Sequence, residues 1–141
     1  MARDIPAWVQ RYTDIPYAIG GRSREGCDCW GLVNLVWSEH FGHDLPLYNG
    51  DYWQRGADMD SIAAAAARHA SNFQKVAAGD EREGDGLLLR VMGVPVHIGL
   101  VVCPGWMLHT ELGCNSVIEE YSSDRWRRRV LGFYRYVVNN D

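Results

Sequence analysis

The sequence predicts an α+β domain, with helices first and an antiparallel sheet after them. Two patterns predict it. Cys29, Leu32, Val33, Val36 and Trp37 recur at i, i+3, i+4, i+7 and i+8 and make one apolar helical face. From Gly86 onward the chain breaks into short apolar or aromatic runs separated by Gly, Pro and Asn, the mark of strands in a meander. Helices followed by strands, without alternation, argue against a parallel α/β sheet.

The elements follow in order. Ile5 to Tyr12 reads as a short amphipathic helix with Pro6 in its first turn. Tyr17 to Cys27, with Gly20, Gly21 and Gly26, reads as an ordered loop. The clearest helix starts at Cys29, with Asp28 where an N-cap belongs and Gly42 where a helix stops. Residues 43–57 read as loop, and Asp60 can cap a second helix running to about His69 or Ala70 through the alanines 63–67. Gly79 to Gly84 is a polar turn. The predicted strands are Leu87–Met92, Val96–Cys103, Trp106–Leu112, Val117–Tyr121 and Gly132–Val138. No repeat or linker divides the chain, so residues 1–141 are expected to be one domain.

Composition narrows the function. Hydrophobic residues make up 47% and charged residues 23%, enough apolar material for one core. The formal net charge of -4 argues against nucleic-acid binding, which needs clustered Lys and Arg. The one basic run, Arg125, Arg127, Arg128 and Arg129, reads as a solvated face. The N-terminal stretch has no apolar h-region, so a signal peptide is not expected; nor does any stretch reach the ~18–20 apolar residues of a membrane span. Without an export signal, the cysteines at 27, 29, 103 and 114 are not expected to form a disulfide framework.

Three residues could carry chemistry together. Cys29 opens a helix, where free N–H groups and the dipole favour a thiolate and are expected to lower its pKa; taken alone, a cysteine there is more often a small buried hydrophobe. His97 opens an apolar strand, and Gly99 on the same face leaves room for a group packed against the imidazole, such as a helix terminus. His109 lies twelve residues on, across the turn at Pro104-Gly105. The two histidines share a face if the hairpin loop is odd in length; a two-residue loop would separate them. On one face, His109 could hold one nitrogen of His97 and leave the other toward Cys29: nucleophile, base and orienter. His40, His43 and His69 lack such company and read as surface or capping residues. A zinc site from Cys27, Cys29, His97 and His109 is disfavoured, because Cys-x-Cys is tighter than the usual ligand gap. No cofactor or metal is expected.

These residues resemble a known family. Gly26-Cys27-Asp28-Cys29-Trp30-Gly31-Leu32-Val33 is similar to the Asp-Cys-Ser-Gly-Leu-Val signature of NlpC/P60 peptidases. Pro16-Tyr17 with Gly20-Gly21 resembles their Pro-Tyr-x-x-Gly-Gly segment, and Glu83-Gly84-Asp85-Gly86-Leu87 their Gly-Asp-Leu turn. His97-Ile98-Gly99-Leu100 resembles the base strand, and Leu108-His109-Thr110 the segment holding the third member. The likeness covers roughly residues 12–137. It implies a reduced papain-like fold, with the nucleophile helix packed on an antiparallel sheet.

The resemblance further implies a cysteine peptidase with Cys29 as nucleophile, His97 as base and His109 as orienter. Tyr17 would sit near the oxyanion or hold substrate, and Asp28 would help receive the free amine of an L-Ala–D-Glu unit. The implied partner is a peptidoglycan stem peptide, cut between D-γ-glutamate and the diamino acid. Trp30 replaces the family's Ser. About 100° around the helix from the apolar face centre, it can border the cleft and reshape the substrate pocket; the alternative is that it packs under the neighbouring loop, as a mostly buried Trp would. Cys-Trp-Gly-Leu-Val, Asp44-Leu45-Pro46, Trp126-Arg127-Arg128-Arg129 and Gly132-Phe133-Tyr134-Arg135 look most like a phage branch. That branch implies synthesis in the cytoplasm, incorporation into a phage-like tail beside tail proteins, and wall opening during entry. The alternatives are a tail-tip structural protein with little activity, and an acyltransferase or amidase of the same superfamily.

Overall fold

The computed structural model describes residues 5–18, 20–43, 73–91, 94–111 and 113–136, with 91 and 94–96 through their backbone alone. A 3-10 helix, Ala7–Tyr12, is followed by the strands β1 (Arg22–Ser23) and β2 (Gly26–Cys27) and the helix α1 (Cys29–Glu39). Then come β3 (Phe73–Val76), β4 (Gly86–Val91), β5 (Val94–Cys103), β6 (Trp106–His109), β7 (Val117–Glu120) and β8 (Val130–Tyr136). Strands β3 to β8 form one sheet in the order β3-β8-β4-β5-β6-β7, antiparallel throughout. The architecture is α+β, a helix packed on an antiparallel sheet.

The structure departs from the sequence pattern in three places. The first helix is a 3-10 turn, with Pro6 at its cap rather than inside it. The segment 17–27 is not all loop: Arg22 pairs with Cys27 and Ser23 with Gly26 in a small hairpin. Strand β3 was not predicted. It lies at the sheet edge on β8, with Gln74 and Lys75 exposed, so it shows no apolar run to read. The helix expected from Asp60, the Asp44-Leu45-Pro46 region and His69 lie outside the described residues.

Both faces of the sheet are covered. Along β5 and β6, Leu100 and Leu108 join one cluster with Leu32, Val33 and Val36 of α1. Their neighbours Val101 and Met107 join a second cluster with Leu87, Trp126 and Phe133. This is the alternation of side chains along a strand. Helix α1 is buried from Cys29 through Trp37, with Asn34 as the sole half-exposed position. Trp37 anchors its far end, donating from Nε1 to the Gly84 carbonyl at 2.8 Å in the turn before β4.

The near end of α1 is pinned by Asp28. Its carboxylate accepts from the Gly31 N–H at 2.7 Å and the Gly20 N–H at 3.0 Å, and pairs with Arg22 Nη1 at 2.8 Å. Gly31 lies against the loop so closely that a Cβ would sit 2.0 Å from the Gly21 carbonyl oxygen. The obstacle is backbone, so relief requires the loop to move. Gly31→Ala is therefore expected to destabilise the protein by about 2–3 kcal/mol, read as a lower urea midpoint. An unchanged midpoint would show that the loop does not hold the helix start.

Candidate active site

Cys29 is the first residue of α1, where the Asp28 cap sets the direction of the helix. It is 9% exposed. Its sulfur meets the backbone N–H of Ile98 as well as those of Trp30 and its own residue. The thiol therefore stands against β5 one residue from His97. The sequence supplied the cap and the helix start; the sheet supplies the contact with Ile98.

His97 Nε2 lies 2.8 Å from His109 Nδ1, with the rings at 80° to each other. His97 is 5% exposed and His109 fully buried. The hairpin that joins them does not have the odd-length loop expected for two histidines on one face. Cys103 pairs with Trp106 across the two-residue turn Pro104-Gly105, which by itself would put the histidines on opposite faces. A bulge between Val101 and Cys103 restores the parity, because β5 carries one residue more than β6 there. His97 also lies three residues inside β5, not at its start. The space over Gly99 is filled by Met107, Leu87 and the His109 Cβ, not by a helix terminus.

Burial sets the protonation of the site. It pushes the Cys29 thiol up to about 12; the N–H groups of Ile98, Trp30 and Cys29 oppose it, and Asp28 adds to it. The expected lowering at a helix start is thus present but overcome, because the thiol has lost its water. Burial, and then the neighbouring His109, pull His97 down to about 3. The resting site holds a neutral thiol and a neutral imidazole. A neutral imidazole can accept a proton, and a thiol that gives one up can attack as a nucleophile.

Of the remaining predicted residues, Tyr17 is half-buried and bridged to Cys27; burial, with Cys29 and then Asp28 nearby, raises its phenol pKa. It is close enough to Cys29 to feel a thiolate. Asp28 is 2% exposed and has its oxygens on Arg22, Gly20 and Gly31. The carboxylate expected to receive a substrate amine is thus already neutralised by a guanidinium. Trp30, expected at the cleft, is 7% exposed and packs edge-on against Trp37. Seven residues bring a helix back to within about 20° of its starting direction, so Trp30 shares a side with Trp37.

Three further residues build the site. Glu119 Oε2 meets His109 Nε2 directly, and Arg125 reaches Glu119 Oε1 at 2.8 Å and Glu111 Oε1 at 3.1 Å. Trp126 is 1% exposed, stacks on His97 at 6.0 Å and meets His109 edge-on at 5.2 Å. The signal in the sequence was weak: two adjacent acids, Glu119 and Glu120, in one short strand, of which one must face inward. Arg125 belongs to the basic run read as a solvated face. Its neighbours Arg127 and Arg128 are exposed, as that reading expected.

The four residues weighed for zinc do not gather, since Cys27 is fully buried in the helix-side core. Among the described residues, the group that could hold a cation is His109, Glu111 and Glu119, whose ligand atoms lie within 4.8 Å of one another. Arg125 already supplies both acids with a positive charge. All four cysteines are free thiols, and Cys114 is exposed.

Comparison with known proteins gives the family and the fold. The NlpC/P60 family model matches residues 14–135. The chain is 23% identical over 124 residues to the murein DD-endopeptidase MepS/murein LD-carboxypeptidase of Escherichia coli strain K12, covering 86% of this chain and 57% of that protein. It is 25% identical over 138 residues to the gamma-DL-glutamyl hydrolase of Bacillus subtilis strain 168, covering 94% of this chain and 29% of that one. The chain thus spans 57% of the first relative's length and 29% of the second's. Among solved structures, an NLP/P60 family lipoprotein-like protein of Staphylococcus aureus superposes with a TM-score of 0.65 at 20% identity, over 93% of this chain and 39% of that one. The NlpC/p60 domain of peptidoglycan hydrolase SagA gives 0.60 at 19%, over 93% and 94%. At these identities the structural likeness concerns the fold.

Two measurements check the electrostatics and packing. His97 has a depressed folded pKa, so its contribution to stability is whole above 6.5 and is lost as pH falls toward about 3. His97→Gln is expected to flatten the fall of the urea midpoint across that window; an unaltered slope would refute the assignment. Trp30→Ser is expected to remove about 3–5 kcal/mol of stability. A melting temperature close to that of the unsubstituted protein would return Trp30 to the cleft.

Proposed function

The chain belongs to the NlpC/P60 family, and from that premise we propose that it is a cysteine endopeptidase of peptidoglycan stem peptides. Cys29 is the nucleophile, His97 the base and His109 the group that orients it. The observation that carries the reading is the His97–His109 contact of 2.8 Å on the strand where Ile98 meets the Cys29 sulfur. With Nε2 held by His109, His97 has Nδ1 left for the thiol proton. Attack on an amide carbonyl gives an oxyanion beside the Cys29 N–H, with Tyr17 near it. His97 then passes the proton to the leaving amine, and water frees the acyl-enzyme.

The substrate class is supported by the relatives, one named for murein and one for a gamma-glutamyl bond. The bond proposed is the one between D-γ-glutamate and the diamino acid. Asp28 is assigned to hold the helix start, and Trp30 to the core beneath it. The setting proposed, a phage or phage-like tail that opens the wall during entry, rests on the sequence resemblance to the phage branch.

A second reading has an observation in its favour. Cys29 and His97 are nearly closed to solvent, and burial keeps the thiol protonated. A tail-tip structural protein with little activity would show such a site. Hydrolysis of purified murein, followed by mass spectrometry of the products, separates the two. Cys29→Ala and His97→Ala are each expected to abolish hydrolysis with melting curves still cooperative, since residues acting as a unit give similar single losses. Murein left intact by the unsubstituted protein would favour the structural reading. Digestion by Cys29→Ala at the full rate would end the peptidase proposal.

A further inference from the structure

The reach of the site does not stop at His109. Resting on the peptidase reading, we propose that Glu119, held by Arg125, is a positioning residue that fixes the tautomers of both histidines and so leaves the base nitrogen of His97 unprotonated.

The hydrogen atoms of the chain Arg125–Glu119–His109–His97 have one consistent placement. Arg125 donates to Glu119 Oε1 at 2.8 Å, and the other oxygen, Oε2, faces His109 Nε2. A carboxylate beside a guanidinium accepts hydrogen bonds only, so His109 must carry its proton on Nε2. In neutral His109 that leaves Nδ1 as an acceptor. The atom 2.8 Å from it is His97 Nε2, which must therefore be the donor. A neutral His97 with its proton on Nε2 has a bare lone pair on Nδ1. One carboxylate thus decides, through two rings, which nitrogen of His97 can take a proton. No step changes this bookkeeping: when Nδ1 accepts the thiol proton, Nε2 keeps its own and goes on donating to His109.

The opposite arrangement is chemically available, so something has to exclude it. If His109 carried its proton on Nδ1, it would donate to His97 Nε2, and a neutral His97 would bear its proton on Nδ1. That tautomer cannot act as a base toward Cys29. Burial gives the rings no water with which to exchange roles freely, because His109 is fully buried and His97 nearly so. The groups facing His109 are Glu119, Glu111, Arg125 and His97, with Trp126 against both rings. Of these, Glu119 is the one in contact with Nε2. It reaches His109 by register: His109 pairs with Val117, and Glu119, two residues on, lies diagonally on the same face.

The test is a two-bond proton–nitrogen NMR correlation on the intact protein, which assigns the protonated nitrogen of each histidine without any substrate. The unsubstituted protein is expected to show both His97 and His109 protonated on Nε2. Glu119→Leu removes the acceptor and is expected to move the His97 proton to Nδ1. Glu119→Gln, whose amide can donate or accept, is expected to populate both forms. On purified murein, Glu119→Leu should lower kcat roughly a hundredfold or more with KM nearly unchanged, the scale of losing a general base. Melting curves identify any variant that has not folded, and Glu119→Gln, close to isosteric, then carries the test. A His97 proton on Nδ1 in the unsubstituted protein overturns the proposal. So does a kcat in folded Glu119→Leu equal to that of the unsubstituted protein, while Cys29→Ala is inactive. If the unsubstituted protein cleaves no murein, the peptidase reading fails, and the NMR result still decides the tautomer assignment.

Discussion

Between Val101 and Cys103, strand β5 carries one residue more than its partner β6. Because side chains alternate along a strand, that surplus decides which residues of the two strands share a face. It sets His97 beside His109 over the Trp126 side of the sheet, and Leu100 beside Leu108 under α1. Without the bulge, the short turn at Pro104-Gly105 would align an apolar residue with each histidine. One imidazole would then be buried among the leucines of the helix side with no partner, which is costly for a polar ring.

The other fixed point is Asp28. Its carboxylate is nearly inaccessible, and it is occupied by Arg22, Gly20 and Gly31. A buried ion pair gains little net energy over a well-packed apolar pair, but removing one partner is expensive. Its consequence here is geometric. It ties the loop before β1 to the first turn of α1, and Gly31 lets the two backbones touch. The position of Cys29 follows from that clamp at one end of the helix and from Trp37 on Gly84 at the other.

Between these two anchors the site is nearly dry. Burial moves the thiol and the imidazole in opposite directions, each toward its neutral form. Neutral partners avoid the cost of holding an ion pair where water does not reach. The negative charge that the site does keep is placed one ring further away, on Glu119, at the sheet edge where Arg125 and solvent can support it. Charge at that distance is available to an imidazolium that forms during reaction, yet does not require the resting base to be protonated.

Much of this was legible in the sequence. The apolar spacing gave α1, the Asp28–Gly31 cap followed from residue types, and the apolar runs gave five of the sheet strands to within a few residues. The order of Cys29, His97 and His109 was readable as well, because the histidines lie on adjacent strands of one hairpin. Strand β3 was not legible, since an edge strand with exposed Gln74 and Lys75 has no apolar signature. Nor was the burial of Trp30, because a helix wrapped on nearly all sides makes the direction of one side chain uninformative. The register of β5 on β6, the direction of the Cys29 and His97 pKa shifts, and the partnership of Glu119 with His109 were decided by tertiary structure alone. Each depends on where another strand lies: local sequence fixes what a residue can do, while the sheet fixes which groups it meets and how much water remains beside them.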